Sequence, residues 1–434
     1  MPTISLAALL TAVLLACVIA SSAFAADEPP PPQPAMSAPP SLNVRDFGAV
    51  GDGKTDDTAA VQKALDTATK AGGGIVMMPR GNYRIATHLL VPDNVTLQGV
   101  FTVPTAWSQM KGTTLLAEEG KGHEDGPPFI SLALNATIKG LTVFYPGQSM
   151  DAITPYPWCV GCTGADNPSI VDCLLVNPYR AVDFATHNSG RHYIRGLYGQ
   201  PLRTGIAVDK CYDVGRIENV HFWPFWGWDG HPKIQDFMRQ NAEAFVFGRT
   251  DWEYVLNTFV LGYKIGYHFI ATKDGPCNGN FMGIGSDGSV IAVQVDQCEP
   301  FGLLITNGEF VSMLEPEPTE VVVSASNTGV VQFNNCAFWG PSDKCATIRG
   351  TGAVSFVQCN FQYWDRANKG LPAIDCLGGE LTVSSCAFRR PSPGVILGPA
   401  VKTAVIYGNT FAGKAQVTNQ SAGDVQIGLN AGPK

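Results

Sequence analysis

Four short apolar segments in the middle of the chain each hold a residue that could take part in catalysis. Asp183, Asp209 and His268 interrupt the apolar alternation of three segments, and Arg249 stands near the end of the fourth. Two carboxylates on neighbouring strands can act as general acid and general base at a glycosidic bond, while a guanidinium or imidazole orients the substrate. The residue types therefore indicate acid–base chemistry, with solvated or ion-paired surface charges as the alternative.

A tryptophan-rich insertion, His221-Phe-Trp-Pro-Phe-Trp-Gly-Trp-Asp-Gly-His-Pro232, lies between two of these segments. Exposed aromatic faces can hold sugar rings, so we expect this insertion to bind substrate; the alternative is that its rings pack against the flank of the fold. The predicted catalytic residues are Asp183, Asp209 and Asp229. The predicted substrate-binding residues are Trp223, Trp226, Trp228, His231, Arg249, Asp251 and His268.

The elements that must position these side chains follow a repeat that is clearest in the C-terminal third. Val331-Gln-Phe-Asn-Asn-Cys336-Ala-Phe338 is echoed by segments that begin at Val354, Leu381 and Ala404. Each copy alternates apolar and polar residues on either side of two small polar residues, which indicates two short strands joined by a bend. A third short strand lies between successive copies. This repeat length fits one coil of three strands, and repeats of fixed period stack on one another.

Looser copies of the repeat extend back to residue 94, so stacked coils account for the chain after its leader and leave no room for a second domain. Long insertions interrupt the early coils at 102–129, 144–167 and 223–243. In a stack of coils such insertions gather on one side. We therefore expect a groove over residues 168–270.

The stretch from Asn43 to Leu65, which includes Asp-Phe-Gly-Ala-Val-Gly-Asp-Gly-Lys-Thr-Asp-Asp at 46–57, resembles the opening of pectate-lyase-superfamily proteins. So does Gly72-Gly-Gly-Ile-Val-Met-Met-Pro-Arg-Gly-Asn-Tyr-Arg-Ile85. The superfamily includes family 28-related glycoside hydrolases and some phage tailspikes. The resemblance implies an all-β fold, a right-handed single-stranded parallel β-helix with a short N-terminal capping helix.

Thr55 or Asp56 is expected to N-cap that helix, and we interpret Asp56-Asp57 as a cap rather than a catalytic pair. The order of acids, a basic residue and a histidine on successive coils also resembles the plan of family 28 hydrolases. The chain nevertheless lacks the Asn-Thr-Asp, Gly-Asp-Asp, Gly-His-Gly and Arg-Ile-Lys motifs of that family.

The leader predicts export. Residues 1–25 have the apolar run and the Ala23-Phe24-Ala25 cleavage pattern of a signal peptide, and 26–41 form a Pro-rich linker before the β-helix domain at 42–434. A secreted or periplasmic protein is expected, with lipid attachment at Cys17 as the alternative. No other segment resembles a membrane span, and the net charge of −8 gives no general attraction for nucleic acid.

The twelve cysteines include eleven after the leader. In the repeat register four of them take equivalent inward positions, where thiols pack as small apolar groups: Cys173, Cys336, Cys359 and Cys386. Cys159 and Cys162 form a close pair for which we predict a loop disulfide rather than a metal site, and no metal ligands are assigned.

Three functions remain open. The first is a glycoside hydrolase that cleaves a plant or microbial polysaccharide without a cofactor. The second is a polysaccharide lyase, which needs a basic residue to remove a proton beside a uronate carboxylate and could use Ca²⁺. The third is a non-catalytic glycan-binding protein or adhesin. The oligomeric state is left open.

Overall fold

The computed structural model describes residues 41–102, 104, 111–223, 231–414 and 416–433. The predicted signal peptide and almost all of the predicted linker lie outside these residues. The helices are a 3-10 turn at Val44–Phe47, α1 at Thr58–Lys70 and α2 at Pro232–Asn241. Neither α-helix has the length and hydropathy that a membrane span requires.

The strands are short and follow one another along the whole described chain. The first fourteen are β1 (Ser41–Asn43), β2 (Asp52–Asp56), β3 (Gly74–Met77), β4 (Gly81–Ile85), β5 (Leu89–Val91), β6 (Val95–Gln98), β7 (Thr113–Ala117), β8 (Ile130–Leu132), β9 (Thr137–Lys139), β10 (Leu141–Phe144), β11 (Trp158–Cys162), β12 (Ser169–Val176), β13 (Arg180–Phe184) and β14 (Tyr193–Gly199). The next twelve are β15 (Thr204–Val208), β16 (Gly215–Glu218), β17 (His221–Phe222), β18 (Glu243–Phe247), β19 (Glu253–Leu256), β20 (Phe259–Leu261), β21 (Ile265–Phe269), β22 (Cys277–Met282), β23 (Gly285–Ser289), β24 (Ile291–Val295), β25 (Cys298–Thr306) and β26 (Glu309–Ser312). The last twelve are β27 (Thr319–Val323), β28 (Val330–Asn334), β29 (Ala337–Phe338), β30 (Lys344–Ile348), β31 (Ala353–Val357), β32 (Asn360–Phe361), β33 (Ile374–Ser384), β34 (Ala387–Phe388), β35 (Val395–Tyr407), β36 (Thr410–Phe411), β37 (Val417–Asn419) and β38 (Asp424–Gly428).

Each strand pairs in parallel with the equivalent strand one coil later, which builds three parallel sheets. In a central coil, β19 belongs to sheet I, β20 to sheet II and β21 to sheet III. The long strands β12, β14, β33 and β35 turn a corner and contribute to two sheets each. Parallel strands joined by crossovers in this way wind with a right hand. The predicted right-handed parallel β-helix is confirmed.

In nearly every coil, the bend between sheets I and II is made by one residue with the left-handed backbone conformation. Asn219, Asn257, Asn307 and Asn335 have φ between 51° and 55°, and glycine or another residue takes this place in other coils. Asparagine tolerates this conformation better than most residues because its amide makes local hydrogen bonds. The Asn335 amide nitrogen donates to the Asn307 side-chain oxygen one coil back at 2.8 Å. The bend expected from the paired small polar residues is therefore confirmed.

Aromatic rings fill the interior in register. Phe338, Phe361, Phe388 and Phe411 stack with centroids 4.9, 4.7 and 4.5 Å apart and planes within 12°. The inward residues of sheet III stack in the same way, with Phe245 on Tyr267 at 4.9 Å. These columns follow directly from the repeat, since an inward residue of one strand meets its equivalent one coil away.

The α1 helix covers the N-terminal end of the interior with Val61, Ala64 and Leu65. Its N-cap residue by position is Asp57, one residue after the predicted Asp56, but the capping hydrogen bond comes from Asp56, whose Oδ1 accepts the Thr58 nitrogen at 3.0 Å. The Asp57 carboxylate instead accepts hydrogen bonds from the Val50 and Gly51 nitrogens at 2.6 and 3.0 Å, because the preceding turn folds back over the helix start. This carboxylate has a structural role.

All eleven cysteines in the described part of the chain are free and buried. The predicted disulfide between Cys159 and Cys162 is wrong. The two residues belong to strand β11 rather than a loop, and residues three apart on a strand point to opposite faces. The predicted column of buried thiols at Cys173, Cys336, Cys359 and Cys386 is confirmed.

The described residues of the insertions lie mainly between sheets II and III, at 118–129, 145–157, 223 and 231–242, and the last range includes α2. Strand β7 divides the first predicted insertion, 102–129, into two parts. The part before β7 falls at the corner between β6 and β7. The insertions therefore border one edge of sheet III over the early and central coils.

Candidate functional site

The four segments that carry the predicted catalytic side chains are β13, β15, β18 and β21 of sheet III. Their register aligns Asp183, Ala207, Val246 and His268, with Gln294 of β24 in the following coil. The residues on either side of each are buried at 0–1% exposure, as the alternation predicts. These side chains therefore share the outer face of sheet III, with about 4.8 Å between coils.

Asp183 and Asp209 lie one coil and two residues apart, which puts their backbones about 8 Å from each other. Both side chains are nearly covered, with exposures of 5% and 8%. Asp183 Oδ1 accepts the nitrogens of Ala185 and Thr186 at 3.0 and 2.8 Å. Asp183 thereby holds the turn that follows its strand.

Asp209 holds the next turn in a similar way. Its Oδ1 accepts the Arg249 nitrogen at 2.6 Å and the Thr272 hydroxyl at 3.0 Å. The structure thus brings Asp209 and the Arg249 backbone together, whereas the Arg249 guanidinium donates to the Thr250 carbonyl. Asp251 is exposed one turn away. Sequence analysis places both Asp183 and Asp209 on the outside of the coil, and the structure shows that turn hydrogen bonds nearly cover them.

His268 lies between two carboxylates on the outer face of sheet III. Its Nε2 is 2.8 Å from Asp296 Oδ2, and its Nδ1 is 3.4 Å from Glu243 Oε2 without the alignment of a hydrogen bond. The imidazole is 12% exposed, and the two carboxylates are 23% and 35% exposed. We call Glu243, His268 and Asp296 the His268 cluster.

The charges of this cluster support one another. Burial by itself lowers the pKa of His268, but the close contact with Glu243 and Asp296, whose negative charges favour the imidazolium, outweighs burial and raises the pKa above its usual value. Burial likewise opposes ionisation of Glu243, yet His268, Arg203 and Lys264 together lower its pKa. The pKa of Asp296 is also lowered, because hydrogen bonds from Ser324, Gln294 and His268 outweigh its burial. A titratable imidazole of fixed orientation therefore lies between two partly exposed carboxylates, with cations close by.

Sequence analysis found His268 but not its two partners. Asp296 follows β24 at the position that Asp209 occupies after β15, so extending the strand alignment by one coil would have shown it. Glu243 begins its strand and is aligned with Thr204 and Ile265, where the alternation gives no sign of a functional residue.

The tryptophan insertion is described only in part, since Trp226, Trp228 and Asp229 lie outside the described residues. Trp223 packs on the outer flank of sheet II, with its ring 5.9 Å from Phe259 and 5.4 Å from His221. It is half-buried in a small apolar cluster with Leu174 and Val176. This placement corresponds to the alternative in which the rings pack against the fold. His231 directly precedes α2 as its N-cap residue.

Apart from the His268 cluster, a cleft of about 550 Å³ lies beside α2, at the corner between sheets II and III. Its lining is largely apolar, with Met313 and the half-exposed Trp339, and it includes Asp287 of β23. Glu309 is one coil and two residues from Asp287, with a backbone separation of about 8 Å. Burial raises the pKa of both carboxyl groups, and the charge of Asp287 raises that of Glu309 further. Sequence analysis missed this pair.

Calcium does not fit the charged groups of these two sites. Ca²⁺ takes six to eight oxygen ligands, usually with several carboxylates. Across residues 41–102, 111–223 and 231–414, one group of three potential ligands converges, and it combines an imidazole, a thiol and a carboxylate. We derive no step that uses Ca²⁺.

The family model for rhamnogalacturonase A/epimerase, pectate lyase-like, matches residues 41–153. The resemblance to the pectate-lyase superfamily that the N-terminal motifs show is thus confirmed. Alginate lyase 7 of Azotobacter vinelandii is 41% identical over 98 residues, which cover 19% of this chain and 11% of that protein. Mannuronan C5-epimerase AlgE3 of the same organism is 61% identical over 80 residues, which cover 17% of this chain and 4% of that protein.

The matches therefore span only a small part of these curated relatives. Among solved structures, the N-terminal fragment of bacteriophage Phi29 gene product 12 is similar in fold, with a TM-score of 0.68 and 14% sequence identity. The aligned region covers 98% of this chain and 73% of that fragment. That likeness extends over the full β-helix and concerns the fold alone.

Proposed function

We propose that this protein is a polysaccharide-modifying enzyme that removes a proton beside the carboxylate of a uronate residue, as a lyase or an epimerase. The observation that carries the proposal is the His268 cluster, a fixed imidazole between two carboxylates on the outer face of sheet III. The relatives that match part of this chain include an alginate lyase and a mannuronan C5-epimerase. Both reactions begin by taking a proton from a carbon next to a carboxylate.

The geometry assigns a role to each member of the cluster. Asp296 orients the imidazole through Nε2, and the Glu243 carboxylate covers Nδ1 at 3.4 Å without a hydrogen bond. Movement of the partly exposed Glu243 side chain on substrate binding would free Nδ1 to accept the substrate proton. Arg203 and Lys264 supply positive charge near Glu243 and would balance the substrate carboxylate as negative charge develops beside it. The polysaccharide would lie along sheet III, parallel to the stack of coils.

Proton removal is tested by incubation with a panel of uronate polymers in deuterated water, followed by proton NMR. We expect loss of the proton signal next to the carboxylate, with ultraviolet absorbance of an unsaturated end if the enzyme is a lyase. His268→Asn should reduce turnover by about 10²- to 10⁴-fold. His123→Asn, which changes an exposed histidine in the insertion at 118–129, is the matched control and should retain activity. Equal activity of wild type and His268→Asn would refute the assignment.

Glycoside hydrolysis is the second candidate, and the Asp287–Glu309 pair favours it. A carboxyl group with a raised pKa can serve as general acid, and a backbone separation of about 8 Å is compatible with carboxyl groups spaced for a water molecule between acid and base. New reducing ends without unsaturation, lost in Asp287→Asn and retained in Asp424→Asn on the distant β38, would support this function. Asp183, Asp209 and Asp229 remain the sequence-based candidates for the same reaction. Glycan binding without turnover in either assay would instead support the non-catalytic function.

We also propose that the protein is exported. The apolar run and the cleavage pattern in residues 1–25 support this. Intact mass measurement of protein from the culture medium or periplasm tests it, with a mature chain that begins at Ala26 as the expected result. A lipidated chain that begins at Cys17 or an uncleaved cytoplasmic chain would contradict secretion.

A further inference from the structure

We infer that His192, Cys211 and Glu253 form a buried binding site for a divalent transition metal ion, with zinc as the ion that best fits the three ligands. The inference does not depend on the proposed function. The site lies inside the corner between sheets III and I, beneath the turns described above.

The three residues come from successive coils. His192 ends the turn before β14, Cys211 follows β15, and Glu253 begins β19. Their side chains are fully buried, and their ligand atoms all lie within 4.8 Å of one another. His192 Nε2 is 3.0 Å from Glu253 Oε1. Side chains from residues 192, 211 and 253 therefore converge at one point of the fold.

The orientation of the ligands fits metal binding. His192 Nδ1 is 2.9 Å from the Ser189 carbonyl oxygen, a contact that fixes the ring and turns Nε2 toward Cys211 and Glu253. Backbone carbonyls commonly hold metal-binding histidines in this way. Glu253 Oε2 is buried without a hydrogen-bond partner. A buried carboxylate oxygen without a partner is costly, and a bound cation would satisfy it.

Gly215 keeps the space open at this point. A Cβ atom at Gly215 would lie 2.3 Å from Glu253 Oε2 and 2.6 Å from His192 Nε2. Both ligand atoms thus turn toward the same side of the cluster. Any larger residue at 215 would push the carboxylate and the imidazole out of position.

The chemistry of the ligands selects the ion. Imidazole, thiolate and carboxylate are typical zinc ligands, whereas calcium and magnesium require oxygen ligands. A thiolate and a carboxylate together balance the two positive charges of the ion, so the site can be buried without net charge. Cys277 is also fully buried at this corner, one coil further, and a water molecule or its thiol would complete a tetrahedral set.

A metal ion here would clamp three coils together. The turns that it joins carry Asp209, Tyr212 and Arg249, so the clamp would fix the border of the outer face of sheet III. Its role is structural, since all three ligands are shielded from solvent.

The test is metal analysis of the full protein, produced in zinc-supplemented medium and purified without chelators. We expect about one zinc ion per chain in the wild type and in Cys336→Ala, and less than about a fifth of that in Cys211→Ala. Cys336 is the matched control because it is buried on the same chain and far from the site. Wild-type protein loaded with Co²⁺ should in addition show the charge-transfer absorption of a thiolate–cobalt bond, which does not require the variant to fold.

Zinc should raise the melting temperature of the chelator-treated wild type and leave that of Cys211→Ala unchanged. Wild-type protein without a transition metal and without the thiolate–cobalt band would overturn the inference. Equal zinc contents in the wild type and Cys211→Ala would place the metal elsewhere and would overturn it as well.

Discussion

Phe361 lies at the centre of the phenylalanine stack, and its replacement by alanine should strongly destabilise the C-terminal coils. The ring is fully buried, 4.9 Å from Phe338 and 4.7 Å from Phe388 in parallel stacking, with Phe356 edge-on at 5.6 Å. The rings above and below belong to neighbouring strands of a parallel ladder, so they cannot move in to fill the space. Phe361→Ala therefore leaves a cavity.

The size of the effect follows from these contacts. Replacement of a core phenylalanine by alanine costs about 3–5 kcal/mol, and a rigid site lies toward the upper end of that range. We expect a loss of about 4 kcal/mol in the free energy of unfolding, and about 1.5 kcal/mol for Phe361→Leu, which keeps most of the volume. Phe301→Ala is the control, because this ring is 71% exposed, and it should change stability by less than about 0.5 kcal/mol.

The assay is equilibrium unfolding in urea, followed by circular dichroism for the whole β-helix and by the tryptophan fluorescence that is lost in a Trp364→Phe background, which isolates Trp364 among the eight tryptophans. Trp364 is fully buried three residues after the mutation and contacts Phe388 edge-on at 6.2 Å. Because each coil contacts only its neighbours, the fluorescence transition should move at least as far as the dichroism transition. A loss below about 1 kcal/mol in Phe361→Ala, or an equal loss in Phe301→Ala, would refute the view that the stack stabilises the fold.

Three further predictions concern the His268 cluster and the coil corners. Activity should rise as pH increases through the raised pKa of His268, because the imidazole must be neutral to accept a proton. Glu243→Gln removes a charge that favours the imidazolium, so it should move the rising part of the pH–activity profile to lower pH. A rising part that does not move would contradict the role of Glu243. Stability should change with pH in the opposite direction. The stabilisation that comes with the raised pKa of His268 is fully present below about pH 6.5 and is lost as pH rises through the folded-state pKa. His268→Gln should therefore flatten this part of a plot of unfolding free energy against pH, measured in urea. Asn335→Val should cost about 1–2 kcal/mol in urea unfolding, because φ is 52° there, whereas Asn335→Gly should cost less; the reverse order would contradict the argument from backbone conformation.

The fold could be predicted well because the repeat carries its own register. An inward phenylalanine such as Phe361 recurs once per coil, and the period of two around it fixes which side chains face the core. The same rule placed His268 on the outer face of sheet III. Sequence patterns of this kind predict whether a side chain points into the core or out of the coil.

The partners of His268 were not predictable in the same way. Glu243 and Asp296 reach the imidazole from the coils on either side, and only the stacking of coils brings these distant residues together. The proposed metal ligands His192, Cys211 and Glu253 are still harder to predict, because they lie in turns or at a strand end at the corners of three coils, where no alternation marks them. The cover over Asp183 likewise depends on how one turn folds back, which the strand pattern does not determine.

The parallel ladder of sheet III also sets a unit of length for anything bound along it. Successive coils are about 4.8 Å apart, so a polymer on this face meets a new set of side chains at each such step. Outer residues change from coil to coil while the inward columns stay alike, as Val246, His268 and Gln294 show. Duplication or loss of a whole coil would therefore lengthen or shorten the contact with a polymer chain and leave every other coil unchanged. For the proposed activity, evolution or design could in this way adjust the length of polymer recognised without altering the residues around His268.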